Sequence, residues 1–127
     1  MLKNLTIDKK ADTPLIVLNT EGDLLIKGRS LPENAERFYQ PAIEWIEEYV
    51  KSQSISNTVL TIELEYFNSS SVKQILAMLM ELENLLDTEY EVKVNWLYNE
   101  DDDLMEMKGR EMASMVDIPF HLESFSV

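Results

Sequence analysis

The stretch Tyr66-Phe67-Asn68-Ser69-Ser70-Ser71 lies at a change of hydrophobic period, and that change constrains the fold more than any other feature of the chain. Before it, Thr58-Val59-Leu60-Thr61-Ile62-Glu63-Leu64 alternates β-branched and apolar residues with polar ones, the pattern of a strand. After it, Val72, Ile75, Leu76, Leu79, Leu82 and Leu86 recur at helical spacing and predict a helix from about Ser70 to Leu86. Consecutive serines thus stand at a strand-to-helix junction. Two readings of them stay open. One serine is the N-cap, its oxygen accepting from a first-turn N–H. Alternatively one is a phosphoacceptor, placed where free backbone N–H groups and the positive end of the helix dipole favour an added phosphate.

The flanking sequence extends the same alternation. Pro14-Leu15-Ile16-Val17-Leu18 and Leu24-Leu25-Ile26-Lys27-Gly28 surround Asn19-Thr20-Glu21-Gly22-Asp23, whose turn chemistry predicts a β-hairpin. Ser30-Leu31-Pro32-Glu33-Asn34 reads as a helix start, with Ser30 as cap and Pro32 in the first turn. Pro41 then makes Glu33 to Lys51 either two helices or one kinked helix, with Phe38, Ala42, Trp45 and Tyr49 on its packing face. Tyr90 to Tyr98 alternates as a strand, Leu104 to Val116 reads as a helix, and Pro119-Phe120-His121-Leu122 as a short final strand. The order β-β-α-β-α-β-α-β predicts an α/β fold: a small mixed, largely parallel sheet with helices packed on it.

Composition sets the limits on function. A chain of 127 residues with 45% hydrophobic content builds one core, so residues 1–127 are expected to form a single domain. The formal charge of −13 argues against nucleic-acid and anionic-lipid partners and favours protein partners with basic surfaces. Without cysteine there is no disulfide, thiolate zinc site or cysteine nucleophile. No signal-like or membrane-spanning apolar run stands out, so membrane insertion is not expected and a cytoplasmic location is.

Candidate chemistry is sparse. Asn99-Glu100-Asp101-Asp102-Asp103 has the right oxygen ligands for calcium or magnesium, but lacks the spacing and central glycine of an EF-hand loop; a solvated loop leading into a helix is the expected reading. His121, the sole histidine, lies in an apolar run and is expected to be structural. There is no glycine-rich phosphate loop and no nucleophile–base pair, so neither an enzyme nor a cofactor is expected. Met105, Met107, Met112 and Met115 either fill the core or line an adaptable surface, depending on how the helix divides them.

Several motifs together resemble the SiaC family of bacterial regulatory phosphoproteins: Gly28-Arg29-Ser30-Leu31-Pro32-Glu33-Asn34, Phe38-Tyr39 with Pro41, Glu65 to Lys73, Val94-Asn95-Trp96 with Tyr98 and the acidic loop, and Gly109 followed by Asp117-Ile118-Pro119-Phe120. They span most of the chain in the family's order. The resemblance implies a SpoIIAA-like (STAS-like) fold and a switch without chemistry of its own. A serine/threonine kinase modifies one hydroxyl after the Phe-Asn pair, and a metal-dependent serine/threonine phosphatase reverses it. The unphosphorylated form binds and stimulates a diguanylate cyclase, linking the switch to cyclic di-GMP and biofilm growth. Carried onto this chain, the acceptor is Ser69, where the family more often has Thr, with Ser70 and Ser71 as neighbouring alternatives. Tyr66, Phe67, Asn68 and Lys73 flank it, and Arg29, Ser30, Glu33, Asn34, Asp101, Asp102 and Asp103 make a candidate partner surface. Arg110 departs from the acidic residues that the family tends to place after Gly109. Two rival readings are a STAS-like adaptor acting on a sigma-factor antagonist or stress complex, and an acidic metal-binding protein or small enzyme built on Asp101 to Asp103.

Overall fold

A computed structural model describes residues 2–52 and 56–126. The elements are β1 (Leu5–Ile7), β2 (Leu15–Leu18), β3 (Asp23–Ser30), α1 (Ala35–Lys51), β4 (Thr58–Phe67), α2 (Ser69–Leu82), a 3₁₀ helix (Glu83–Asp87), β5 (Val92–Asn99), α3 (Asp103–Ser114) and β6 (Phe120–Phe125). The six strands make one sheet in chain order. β1, β2 and β3 pair antiparallel, whereas β3, β4, β5 and β6 pair parallel. The mixed, largely parallel sheet expected from the sequence is what forms.

Strand alternation divides the sheet into two unlike faces. One cross-sheet row runs Ile7, Ile16, Ile26, Ile62, Trp96, Leu122, and the next Leu5, Leu18, Leu24, Leu60, Val94, Phe120. Their central members are fully buried beneath Tyr39, Ala42, Ile46 and Tyr49 of α1, Ile75, Met78, Leu79 and Leu82 of α2, and Met105 and Met112 of α3. On the other face Thr6, Val17, Leu25, Thr61, Asn95 and His121 lie in register, and none is buried. Right-handed crossovers that always advance in one direction across a sheet leave every helix on the same side, which accounts for this asymmetry.

Several expectations change in detail. β1 adds a strand that sequence periodicity misses, because three residues are too few to show a period; Leu5 and Ile7 extend the two core rows. α1 is one helix through Pro41. Pro41 is exposed, so the Arg37 carbonyl it leaves without a helical donor lies on the solvent side. Tyr39, not Phe38, takes the fully buried place on α1, and Phe38 packs edge-on against it at 5.0 Å. Ser30 ends β3 instead of capping α1, Pro32 precedes the helix, and Asn34 is the cap. α2 stops at Leu82 and continues as the 3₁₀ helix, while β6 is longer than expected. His121 is exposed on the uncovered face, because the alternation of β6 puts Phe120 and Leu122 on the core side. The α3 methionines divide, Met105 and Met112 inward and Met107 and Met115 outward.

Gly109 sets the distance between α3 and the sheet. A Cβ there would lie 2.5 Å from Trp96 Cδ1 and 2.9 Å from Leu122 Cδ2, and Trp96 is held in place by donating its indole N–H to the Met105 carbonyl at 3.0 Å. Gly109→Ala is therefore predicted to destabilise the fold by about 1–3 kcal/mol despite the better helix propensity of alanine, because overpacking outweighs it. Urea unfolding should show a lowered midpoint with an unchanged slope; an equal or raised midpoint would contradict the packing argument.

Candidate functional site

Each parallel strand from β3 to β5 runs into a helix, so the three βα junctions emerge together at the carboxyl edge of the sheet, where open α/β sheets place their ligands. Each junction ends in a side-chain cap. Asn34 Oδ1 accepts from the Arg37 N–H at 3.0 Å, Asn68 Oδ1 from the Ser71 N–H at 2.9 Å, and Asp102 Oδ1 from the Met105 N–H at 3.0 Å. The capping residues satisfy donors that the first helical turn leaves without partners. This edge gathers the sequence-predicted residues: Arg29, Glu33 and Asn34 before α1, Tyr66 to Ser71 at the β4–α2 junction, and Asp101 to Asp103 before α3.

A β-bulge shapes the middle junction. Leu64 pairs with Gly28 and Tyr66 with Arg29, so Glu65 is an extra residue in β4. The slip reverses the side-chain phase. Glu65 and Tyr66 are both exposed, and Phe67 turns inward to meet Trp96 edge-on at 5.9 Å. Phe67 is thus a packing residue beneath the junction, while Tyr66, 48% exposed, is its outward aromatic.

The end of β3 pins the first turn of α2. The Ser30 carbonyl accepts both the Asn68 N–H and the Ser71 hydroxyl, each at 3.1 Å. The Ser30 hydroxyl donates to Ser71 Oγ at 2.8 Å, so its 2.6 Å contact with Tyr39 must take the phenol as donor. A one-way chain runs from Tyr39 through Ser30 and Ser71 back to the Ser30 carbonyl, with every hydroxyl proton used. Residues 68 and 71 are held at both ends of the turn, leaving Ser69 and Ser70 outward. Ser69 is exposed and its hydroxyl makes no hydrogen bond among the described residues. The Ser70 hydroxyl donates to Asn68 Oδ1 at 3.0 Å.

These contacts correct three sequence readings. The cap of α2 is Asn68 and not a serine, because its carboxamide oxygen reaches the Ser71 N–H. Ser71 is fully buried, so its hydroxyl is no accessible alternative to Ser69 in the folded chain. Ser30 is likewise fully buried and contributes no partner surface; its hydroxyl is consumed internally. Sequence reasoning gave Tyr39 no role beyond the family motif. Its hydroxyl partner Ser30 lies nine positions away on a strand, and no local spacing signals such a bond.

Two grooves flank the junction. One, of about 330 Å³, lies between the first turns of α1 and α2 and is lined by Glu33, Glu36, Ser70 and Lys73 among others. The other, of about 620 Å³, is lined by Glu63, Glu65, Asp101 and Asp102 together with Asn99 and Phe125. Glu63 has Lys27 at 3.7 Å, and Asp102 is occupied as a cap. Among the described residues no group of three His, Cys, Asp or Glu side chains is placed to hold a metal ion. No described helix is long and apolar enough to cross a membrane.

The fold is a single-sided α/β sheet that presents an exposed hydroxyl at a pinned helix start. Residues 7–125 match the SiaC family of regulatory phosphoproteins, and the chain belongs to that family. It is 26% identical to apo-SiaC from Pseudomonas aeruginosa, with a TM-score of 0.85 over 95% of this chain and 98% of that one. Against SiaC of the same organism in complex with the diguanylate cyclase SiaD, which it activates, the TM-score is 0.88 at 25% identity, covering 95% and 99% of the two chains. An uncharacterised protein of P. aeruginosa strain UCBPP-PA14 is 25% identical over 124 residues, 97% of this chain and 98% of that protein.

The pinning chain has a titration signature. Burial raises the Tyr39 phenol from 10.0 to about 12, outweighing the opposing influence of the nearby Ser30 and Ser71 hydroxyls. Between those values the unfolded chain has lost this proton and the folded chain keeps it, so the stabilisation is complete below pH 10.0 and disappears as pH rises to about 12. Tyr39→Phe should remove about 2–3 kcal/mol of the alkaline loss of stability, the scale of two pKa units. Denaturant midpoints of both proteins across this window check it; identical alkaline slopes would contradict it.

Proposed function

We propose that this chain is a phosphorylation-switched binding protein that, unphosphorylated, engages and stimulates a diguanylate cyclase. On this reading it acts as one regulatory domain, in the cytoplasm, with no catalysis of its own. A serine/threonine kinase modifies Ser69, and a metal-dependent phosphatase restores the hydroxyl. The observation that carries the assignment is the exposed, unbonded Ser69 hydroxyl at the first position of α2, between two anchored residues. The SiaC that activates SiaD supplies the partner class.

The physics of the switch is local. Phosphate on Ser69 would add about −1.5 to −2 charges beside the positive end of the α2 dipole, with Lys73 four positions on along the same side of the helix. The fold can hold that charge without rearrangement. A partner surface fitted to a neutral hydroxyl cannot, because it would have to desolvate a bulky dianion. Arg29, Glu33, Asn34 and Asp101 to Asp103 share the edge with Ser69, so one partner face can contact them together.

Ser69→Ala should abolish phosphorylation and leave both the fold and cyclase binding intact. Ser69→Asp should weaken the cyclase complex by about tenfold, less than phosphate because one carboxylate has less charge and bulk. Mass spectrometry of chain isolated from its own cells reports the first step, and calorimetric titration with a diguanylate cyclase of the same genome, together with cyclic di-GMP formation, reports the second. Absence of phosphate on the junction serines, with equal cyclase affinity for all variants, would overturn the proposal.

A further inference from the structure

We propose that Asn68 and the acidic pair Glu33 and Glu36 confine phosphorylation to Ser69 by denying it to the adjacent, likewise exposed Ser70. The inference rests on the phosphoprotein reading above and concerns the selectivity of that same site. In the transfer, a serine Oγ bonds to the γ-phosphorus of a kinase-bound nucleoside triphosphate while the hydroxyl proton passes to the kinase's base. The bond to the departing nucleoside diphosphate breaks, and its electron pair leaves with that group. The acceptor hydroxyl must therefore be free to turn its proton toward the base, and its surroundings must tolerate the dianion that results.

Ser69 and Ser70 differ on both counts. The Ser69 hydroxyl has no partner among the described residues, whereas the Ser70 proton is given to Asn68 Oδ1 at 3.0 Å. Ser70 also lines the groove of about 330 Å³ that carries Glu33 and Glu36 against the single cation Lys73. Arg37 lines an adjoining small groove with Glu36 and is not among the residues lining the groove of Ser70. A phosphate on Ser70 would share that groove with two carboxylates, and like charges there oppose the product as well as the approach of the triphosphate. Ser71, with its proton on the Ser30 carbonyl and no exposed surface, is excluded by burial.

Two variants separate the contributions. Asn68→Gly removes the Oδ1 acceptor while keeping a residue well tolerated at an N-cap, and the doubly substituted E33Q/E36Q neutralises two exposed carboxylates. Each is expressed in the chain's own cells beside the unaltered protein, and the phosphate is mapped by mass spectrometry. The unaltered chain should carry phosphate on Ser69 alone. E33Q/E36Q should shift a detectable share of the phosphate from Ser69 onto Ser70, because a dianion there no longer meets two carboxylates. Asn68→Gly should produce the same shift. A purely structural role for these residues would change the total phosphate but not its distribution. Phosphate on Ser70 in the unaltered chain, or an unchanged distribution in both variants with Ser69 modified, overturns the inference and leaves the phosphoprotein reading standing. Absence of phosphate from every junction serine overturns both.

Discussion

Because β3, β4, β5 and β6 pair in chain order and run parallel, each of the first three must be followed by a crossover to the next strand, and three helix starts are brought to one edge of the sheet. The remaining features depend on that constraint. It buries one sheet face under helices, leaves the other uncovered, and sets the caps Asn34, Asn68 and Asp102 along a common border. It also gives the chain's acidity a location. Glu36 stands in the first turn of α1 and Asp103 and Glu106 in that of α3, where negative charge meets the positive end of the dipole. The α2 start has no acidic residue in its first turn. A negative charge is missing where a phosphate would supply one.

The α2 junction is tied to the end of β3 twice over. Its neighbours each take a backbone bond from elsewhere in the chain, Leu31 N–H to the Asp12 carbonyl and Glu100 N–H to the Phe125 carbonyl, whereas here the Ser30 carbonyl receives both the Asn68 N–H and the Ser71 hydroxyl. Two residues separated by 41 positions thus define one turn. The Glu65 bulge makes this geometry available by turning Phe67 under Trp96 and leaving Asn68 to face the end of β3. Buried hydroxyls in a fully used hydrogen-bond chain favour one arrangement strongly, since any shift leaves a donor or acceptor without a partner. On the proposed reading, such a fixed turn would let added charge change recognition without first changing the fold.

The two grooves beside this turn have different characters. The α1–α2 groove is small and mixes Glu33 and Glu36 with Lys73, so it weighs against a second anion next to Ser69. The larger cleft beneath the β5–α3 junction is lined mainly by carboxylates, with Leu64 and Phe125 as its apolar residues. Asp101, Asp102 and Asp103 share the edge with Ser69 but serve different ends: Asp102 closes the α3 start, and Asp103 is already in the helix.

The sequence by itself determined the element types wherever an apolar pattern was long enough to show its period. The hairpin, the alternation of strand and helix from β3 onward and the position of the serines at a period change could all be read from local spacing, and the family resemblance from the motifs themselves. β1 could not, because three residues become a strand only when β2 offers an edge to pair with. Nor could the fate of each serine. Ser69, Ser70 and Ser71 are chemically identical in the sequence, and their division into a free, a bonded and a buried hydroxyl follows from helical rotation above a fixed Ser30 carbonyl. Only the tertiary structure could place Tyr39 in that chain or withdraw Ser30 from the surface. Their contacts join a strand end, one helix interior and another helix's first turn, and no local pattern encodes which of these the packed core will bring together.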